Sequence, residues 1–302
     1  MFKRIQLNTW DDLDFLHRFR LSKRTTMMVL EEIKDFLPCD ERRSRELRPI
    51  TQLLISLRYY ALGSFQLVIA DFSGVCITSV HVVLKRVSKA LAELSPRYIQ
   101  MPQTQNERLK AAKEFFAVAK FPRTIGAIDC THIRIQSPGG TDAENFRNRK
   151  GWLNVQTVSA ANLKINDIVA RWQGSAHDQR IFNMSSLKKR FEDGEFEHFI
   201  LVGDSGYTNT TFLATPFLNV TNAVENLYNE SQIRTRNCVE RSYGWLAIDQ
   251  NESQPPPEMY DFANMLAATD VPSDTLLGSA SATTHNVRAR LVRSYFQPML
   301  DS

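Results

Sequence analysis

The run I125-G-A-I-D-C-T-H-I-R-I135 decides the fold. It is rich in Ile, Ala and Thr, it follows a break at Phe121-Pro122, and it reads as a strand from Ile125 to Ile135. Downstream, Trp152 to Ala160 reads as a second strand and Lys164 to Trp172 as a third, with Asn162 in the hairpin turn between them. Asp178 to Glu192 has the pattern of a helix, and Phe199 to Val202 is a short apolar strand ended by Gly203. Three strands joined by one long excursion and a hairpin, then a helix and a further strand, predict a mixed α/β layer.

Upstream of Phe121 the pattern is helical throughout. Apolar residues recur at Ile50, Leu53, Leu54, Leu57 and Tyr60, the stripe of a helix packed on a core. Ser64 to Phe72 supplies a second helix, and Gly74 marks a turn. Thr78 or a neighbouring hydroxyl is placed to cap a third, with its buried face at Val80, Val83, Leu84, Val87 and Leu91. The opposite face carries His81, Lys85, Arg86 and Lys89, so this region is helix-turn-helix-like, with Lys85, Arg86 and Lys89 as candidate DNA contacts. A three-helix bundle with a solvated basic face has the same pattern.

Charge divides along the same line. Residues 1–123 hold 21 Lys+Arg against 13 Asp+Glu, a net +8, and the remainder holds 16 against 20, a net −4. A basic front and an acidic back suggest an anionic partner for the first and a carboxylate site in the second. No apolar run reaches the ~18 residues of a membrane-spanning helix, and the amino-terminal MFKRIQLNTW lacks the apolar middle of a secretory signal. Cys39, Cys76, Cys130 and Cys238 form no CxxC pair and no zinc-type cluster, which fits a reducing compartment.

Three acids stand out. Asp129 interrupts an otherwise apolar strand, where an ionised carboxylate needs a partner. Asp204 follows F199-I-L-V-G, at the carboxyl end of a strand, where α/β proteins place ligands. Glu240 lies in N237-C-V-E-R-S-Y-G244, read as helical. Were they to converge, each pair about 4 Å apart would repel by ~4 kcal/mol at an effective dielectric constant near 20, so protons or a cation would be required. Oxygen ligands favour Mg2+ or Mn2+, and a carboxylate cluster can hold two ions for phosphoryl chemistry. Taken singly, each acid also has an ordinary role in a turn or salt bridge.

Asp178, in G174-S-A-H-D178, reads as a helix N-cap, with His177 and Asp178 as accessory site candidates. His132 falls on the strand face opposite Asp129 and reads as structural. Arg149 and Lys150, in N145-F-R-N-R-K-G151, and Arg234 and Arg236 are candidate phosphate contacts.

Taken in series, I125-G-A-I-D-C-T-H-I133, N148-R-K-G151, W172-Q-G-S-A-H-D178, L201-V-G-D-S-G-Y207, T215-P-F217 and R236-N-C-V-E-R-S-Y-G244 resemble the Harbinger transposase-derived nucleases, relatives of the PIF/Harbinger transposases with a DDE superfamily endonuclease domain. With L54-I-S-L-R-Y-Y-A-L-G63, the resemblance spans roughly Phe15 to Leu246. It implies an RNase H-like core in which Asp129, Asp204 and Glu240 form a catalytic and metal-binding triad. It further implies cleavage of DNA phosphodiester bonds with a divalent metal, location in the nucleus, and a separate Myb-like DNA-binding protein as partner.

The resulting division is a helical, helix-turn-helix-like basic domain at 1–120, the endonuclease domain at 121–246, and a low-pattern tail at 247–302 in which Val287 to Phe296 can form a short basic helix. One departure stands out. After E240-R-S-Y-G-W-L246 the family continues with a basic segment and another helix, whereas A247-I-D-Q-N-E252 follows here, so the glutamate-bearing helix is expected to lack a packing block. That departure keeps open a second reading, a DNA-binding or adaptor protein that retains the fold without hydrolysis. A phosphoesterase acting on small substrates is a third, with no sequence trace of a deep pocket.

Overall fold

The computed structural model describes residues 5–38, 46–135, 152–246 and 286–301. Arg149 and Lys150, and most of the tail, lie outside the described residues. The chain divides into two compact units, Met1–Tyr98 and Ile99–Ser302.

Among the described residues, the secondary structure of the first unit is helical throughout. Helix α1 (Asp12–Phe19) starts where the Asp11 carboxylate accepts from the Asp14 amide, and α2 (Lys23–Ile33) where Ser22 does the same for Thr25. Pro49 opens α3 (Pro49–Leu62), and Gly63, at φ 58°, ends it in the left-handed conformation. After α4 (Gln66–Ser73) and a left-handed Gly74 comes α5 (Ile77–Glu93), then the short α6 (Ser95–Tyr98). The predicted stripe holds on α5, where Val80, Val83, Leu84 and Val87 are buried while His81, Lys85, Arg86 and Lys89 are exposed. Its cap does not: the N-cap residue is Cys76, with no side-chain capping bond. Helix α3 is more deeply embedded than a single stripe implies, since every residue from Thr51 to Leu57 is buried and Tyr60 faces outward. It is the central helix of this unit, which is why its sequence is apolar almost all round.

The second unit begins with α7 (Gln105–Ala119), fixed at its start by a capping box between Thr104 and Glu107. This helix precedes Phe121-Pro122, and the sequence alone assigned it to the front domain. Instead, Ala111, Ala112 and Phe116 pack with Ile125, Ile128 and Leu201 of the sheet. Helical pattern sets a segment's type but not the core it joins.

Among the described residues the sheet has five strands in the order β3-β2-β1-β4-β5: β1 (Thr124–Arg134), β2 (Trp152–Ser159), β3 (Ile165–Gln173), β4 (Ile200–Val202) and β5 (Leu213–Ala214). Strands β1, β2 and β3 run antiparallel, and β4 and β5 join parallel to β1. This mixed order, with helices on both faces, is RNase H-like. The hairpin turn between β2 and β3 uses Leu163 at φ 70°, while the Asn162 side chain accepts from the Lys164 amide. The predicted helix after β3 is two, α8 (Asp178–Asn183) and α9 (Ser186–Glu192), because Ser185 caps a fresh start through the Lys188 amide.

Helix α10 (Ala223–Leu246) crosses the other face. Gln232 donates to the carbonyls of Gly203 and Ala214, at 2.7 and 3.2 Å. Near its far end, Ser242 and Tyr243 bond to Ser159 and Thr157 of β2, each at 2.9 Å. The expected packing deficit is therefore not what the described residues show. The carboxy-terminal stretch, Val287–Leu291 and the π-helical turn Val292–Phe296, lies in the same core, with Val287, Leu291 and Phe296 buried. Phe296 stacks edge-on to Tyr228 of α10 at 5.4 Å, and Arg288 donates to the Pro216 carbonyl over the ring of Phe217.

Candidate active site

The register of β1 against β4 brings two of the acids together. The last parallel pair is Ala127 with Val202. Asp129 stands two residues beyond it within β1 and so keeps the side of the sheet that Ala127 occupies, and Asp204 stands two residues beyond it, just after the end of β4. Past that pair β1 continues along β2, with Asp129 opposite Thr157, while the chain leaves β4 at Gly203. The acids thus sit where two parallel strands part company.

The third member is Asp178. One carboxylate oxygen from each of Asp129, Asp178 and Asp204 lies within 4.8 Å of the others, and all three residues are partly buried. Asp178 is not the N-cap that its sequence position suggested. His177 holds that place, exposed and without a capping bond, and Asp178 is the first residue of α8 with its carboxylate turned to the cluster. Two buried amides of β2 set it there. Asn154 donates to the Ala176 carbonyl at 2.9 Å and to Asp178 Oδ1 at 3.2 Å, and Gln156 donates to the Asp178 carbonyl at 3.3 Å. Gln156 also reaches the Tyr207 hydroxyl at 3.0 Å, which in turn lies 3.4 Å from Cys130 Sγ, so a polar layer supports the acids from below.

Glu240 is not in this cluster. It is half exposed on α10 and accepts from Arg236 Nη2 at 2.7 Å, while Nη1 of the same guanidinium donates to Asp129 Oδ2 at 3.1 Å. Arg236, read from sequence as a phosphate contact, is instead committed to two carboxylates. Arg234 is exposed beside Glu230 at 3.6 Å. His132 bonds to the Gly174 carbonyl at 3.0 Å and steadies the approach to α8, a structural role.

Burial pushes the Asp129 carboxyl up to about 6, and the charges of Asp204 and Asp178 add to the rise against the Cys130 amide and Arg236, which hold it down. Each pair of ionised acids at up to 4.8 Å repels by roughly 3.5 kcal/mol at an effective dielectric constant near 20. The neighbouring Tyr207 and Cys130 are also raised by burial, so neither is a nucleophile at neutral pH. At Gly206, whose amide donates to Asp204 Oδ1 at 2.9 Å, an added Cβ would stand 3.1 Å from that oxygen and 3.7 Å from Asp178 Oδ2. Three carboxylate oxygens within 4.8 Å of one another, beside a glycine where a side chain would crowd them, are a fitting donor set for Mg2+ or Mn2+.

The fold and the acidic cluster together define a DDE superfamily endonuclease domain, and residues 128–247 match the family of that description. All three aspartates, Arg236 and Glu240 lie inside the matched span. Along most of its length the chain is similar to proteins named as nucleases. It is 28% identical over 241 residues to "Putative nuclease HARBI1" of Rattus norvegicus, covering 79% of this chain and 69% of that protein. The Homo sapiens protein of that name is 27% identical over 242 residues, covering 80% and 69%. "Protein ALP1-like" of Arabidopsis thaliana is 24% identical over 242 residues, covering 71% of this chain and 57% of that protein. No solved structure shows a significant match.

Proposed function

We propose that the protein is a nuclear, divalent-metal-dependent endonuclease that hydrolyses phosphodiester bonds of DNA. The observation that carries this reading is the convergence of Asp129, Asp178 and Asp204, from β1, α8 and the end of β4, within one endonuclease domain. These three residues would hold Mg2+ or Mn2+, and no protein nucleophile is needed. A bound dication supplies positive charge that makes a water acidic enough to attack phosphorus and offsets the charge on the departing 3′ oxygen. The protein holds the carboxylates close together. Asn154 and Gln156 fix Asp178, the Gly206 amide fixes Asp204, and the Cys130 amide fixes Asp129 through Oδ1 at 2.8 Å.

Within this proposal, Lys85, Arg86 and Lys89 on the exposed face of α5 hold DNA phosphates, and a Myb-like protein supplies target choice. Phosphate contacts of this kind weaken steeply between about 50 and 200 mM salt. The deciding experiment measures nicking of supercoiled plasmid with Mg2+ or Mn2+. Wild type is expected to nick, and D129N, D178N and D204N are expected to bind DNA without nicking. A wild-type chain that binds DNA and leaves it intact with either metal would establish the adaptor reading instead.

A further inference from the structure

Arg236 holds a position that the reaction just proposed does not explain. Its side chain is 16% exposed and that of Asp129 15%, so their ion pair is largely withdrawn from water, where a charged hydrogen bond counts for more than at the surface. Asp129 has both oxygens engaged: Oδ1 accepts from the Cys130 amide and Oδ2 from Arg236 Nη1. The other arm of the guanidinium holds Glu240, four residues on along α10 and half exposed. One cation thus separates a carboxylate inside the cluster from one outside it.

We propose that Arg236 is a positioning residue that acts as a built-in counter-ion: its guanidinium competes with an incoming divalent cation for Asp129 Oδ2, and its departure frees Glu240 to turn toward the cluster. The inference rests on the reading that the three aspartates bind a divalent cation. Charge gives it direction. A dication among the aspartates repels a guanidinium 3.1 Å from Oδ2 and attracts a carboxylate whose partner has just left. Helical spacing gives it a path, because residues 236 and 240 share one face of α10 and a side-chain rotation exchanges which of them points at Asp129. The same motion turns three carboxylates into four. It also accounts for a glutamate that lies inside the endonuclease domain yet outside its acidic cluster.

The test is Mn2+ titration of the full-length protein, followed by the electron paramagnetic resonance of free Mn2+, with thermal melting in parallel. R236Q is expected to melt lower than wild type without added metal and to bind Mn2+ roughly tenfold tighter. A residue that merely supports a ligand does the reverse, its loss weakening metal by about 10–100-fold. R236K, which keeps the charge but loses the fork, is expected to shift affinity the same way by less, and it serves if R236Q does not fold. In the R236Q/E240Q double variant the gain should shrink, since the fourth carboxylate is gone. Unchanged or weaker Mn2+ binding by a folded R236Q or R236K overturns the inference while leaving the metal site standing. Failure of wild type to bind Mn2+, or D204N binding it as tightly as wild type, overturns the metal reading as well.

Discussion

Helix α5 and strand β2 solve opposite problems. On α5 the buried face is Val80, Val83, Leu84, Val87 and Ala90, all apolar, and its stability comes from area removed from water. On β2 the residues Asn154, Gln156, Thr157 and Ser159 are at most 1% exposed, and all are polar. Their partners are Asp178, Tyr207, Tyr243 and Ser242, so this strand is held by hydrogen bonds that also aim the site. A buried apolar stripe tolerates change in proportion to lost volume. A buried polar row has sharper consequences, because each lost partner strands another group in a dry place.

The contrast can be broken most severely at the acids it supports. D129N should lower metal-dependent nicking by on the order of 10³-fold or more, with DNA affinity little changed by filter binding, since an interaction made in the reaction is removed. The same variant carries a pH signature in chelator. A carboxyl raised from 3.8 to about 6 contributes its full stability only in the protonated form and loses it as the pH rises through that interval, so wild type should gain on D129N below about pH 4 and fall back above about pH 6. Melting temperatures at pH 4 and pH 8 check the sign.

L54A, in the apolar core of the helical unit, should cost about 3 kcal/mol in urea unfolding and leave Mn2+ affinity of the folded protein untouched. Q156L on β2 should cost about 1–3 kcal/mol by leaving the Asp178 carbonyl and the Tyr207 hydroxyl without their donor. Unlike L54A, it should also weaken Mn2+ binding, by about tenfold. If the two variants affected metal equally, the distinction between the regions would fail.

The smallest effect concerns the start of α7. The amides of Thr104 and Gln103 hold the Glu107 carboxyl below its usual 4.5, so its contribution is present above that value and is lost as pH falls through the depressed one. E107Q should melt slightly below wild type at pH 7 and match it near pH 2, a difference readable by calorimetry.

Periodicity recovered the α5 stripe, because burial of one helix face forces that spacing. The first three strands and the short β4 were legible from runs rich in Ile, Val and Thr, which suit strands buried within a layered fold. Asp129 and Asp204 were legible for a similar reason: an acid inside or directly after an apolar strand must be compensated. Asp178 was legible only as an accessory candidate beside its N-cap reading, since a carboxylate at a helix start has the same local appearance whether it caps the helix or leaves it. The difference lies in Asn154 and Gln156, on a strand more than twenty residues earlier. The position of Val287 to Phe296 was hidden too, because a short amphipathic stretch carries no mark of the core it will join.

The chain's order of residues by itself determined its mixed α/β character, its helical front, and two acids bound for a common strand end. Only the tertiary structure decided that Asp178 completes their cluster and that Arg236 stands between them and Glu240. Both outcomes depend on how far α8 and α10 slide across the sheet, and that distance is fixed by hydrogen bonds between residues remote in sequence, which no local spacing encodes.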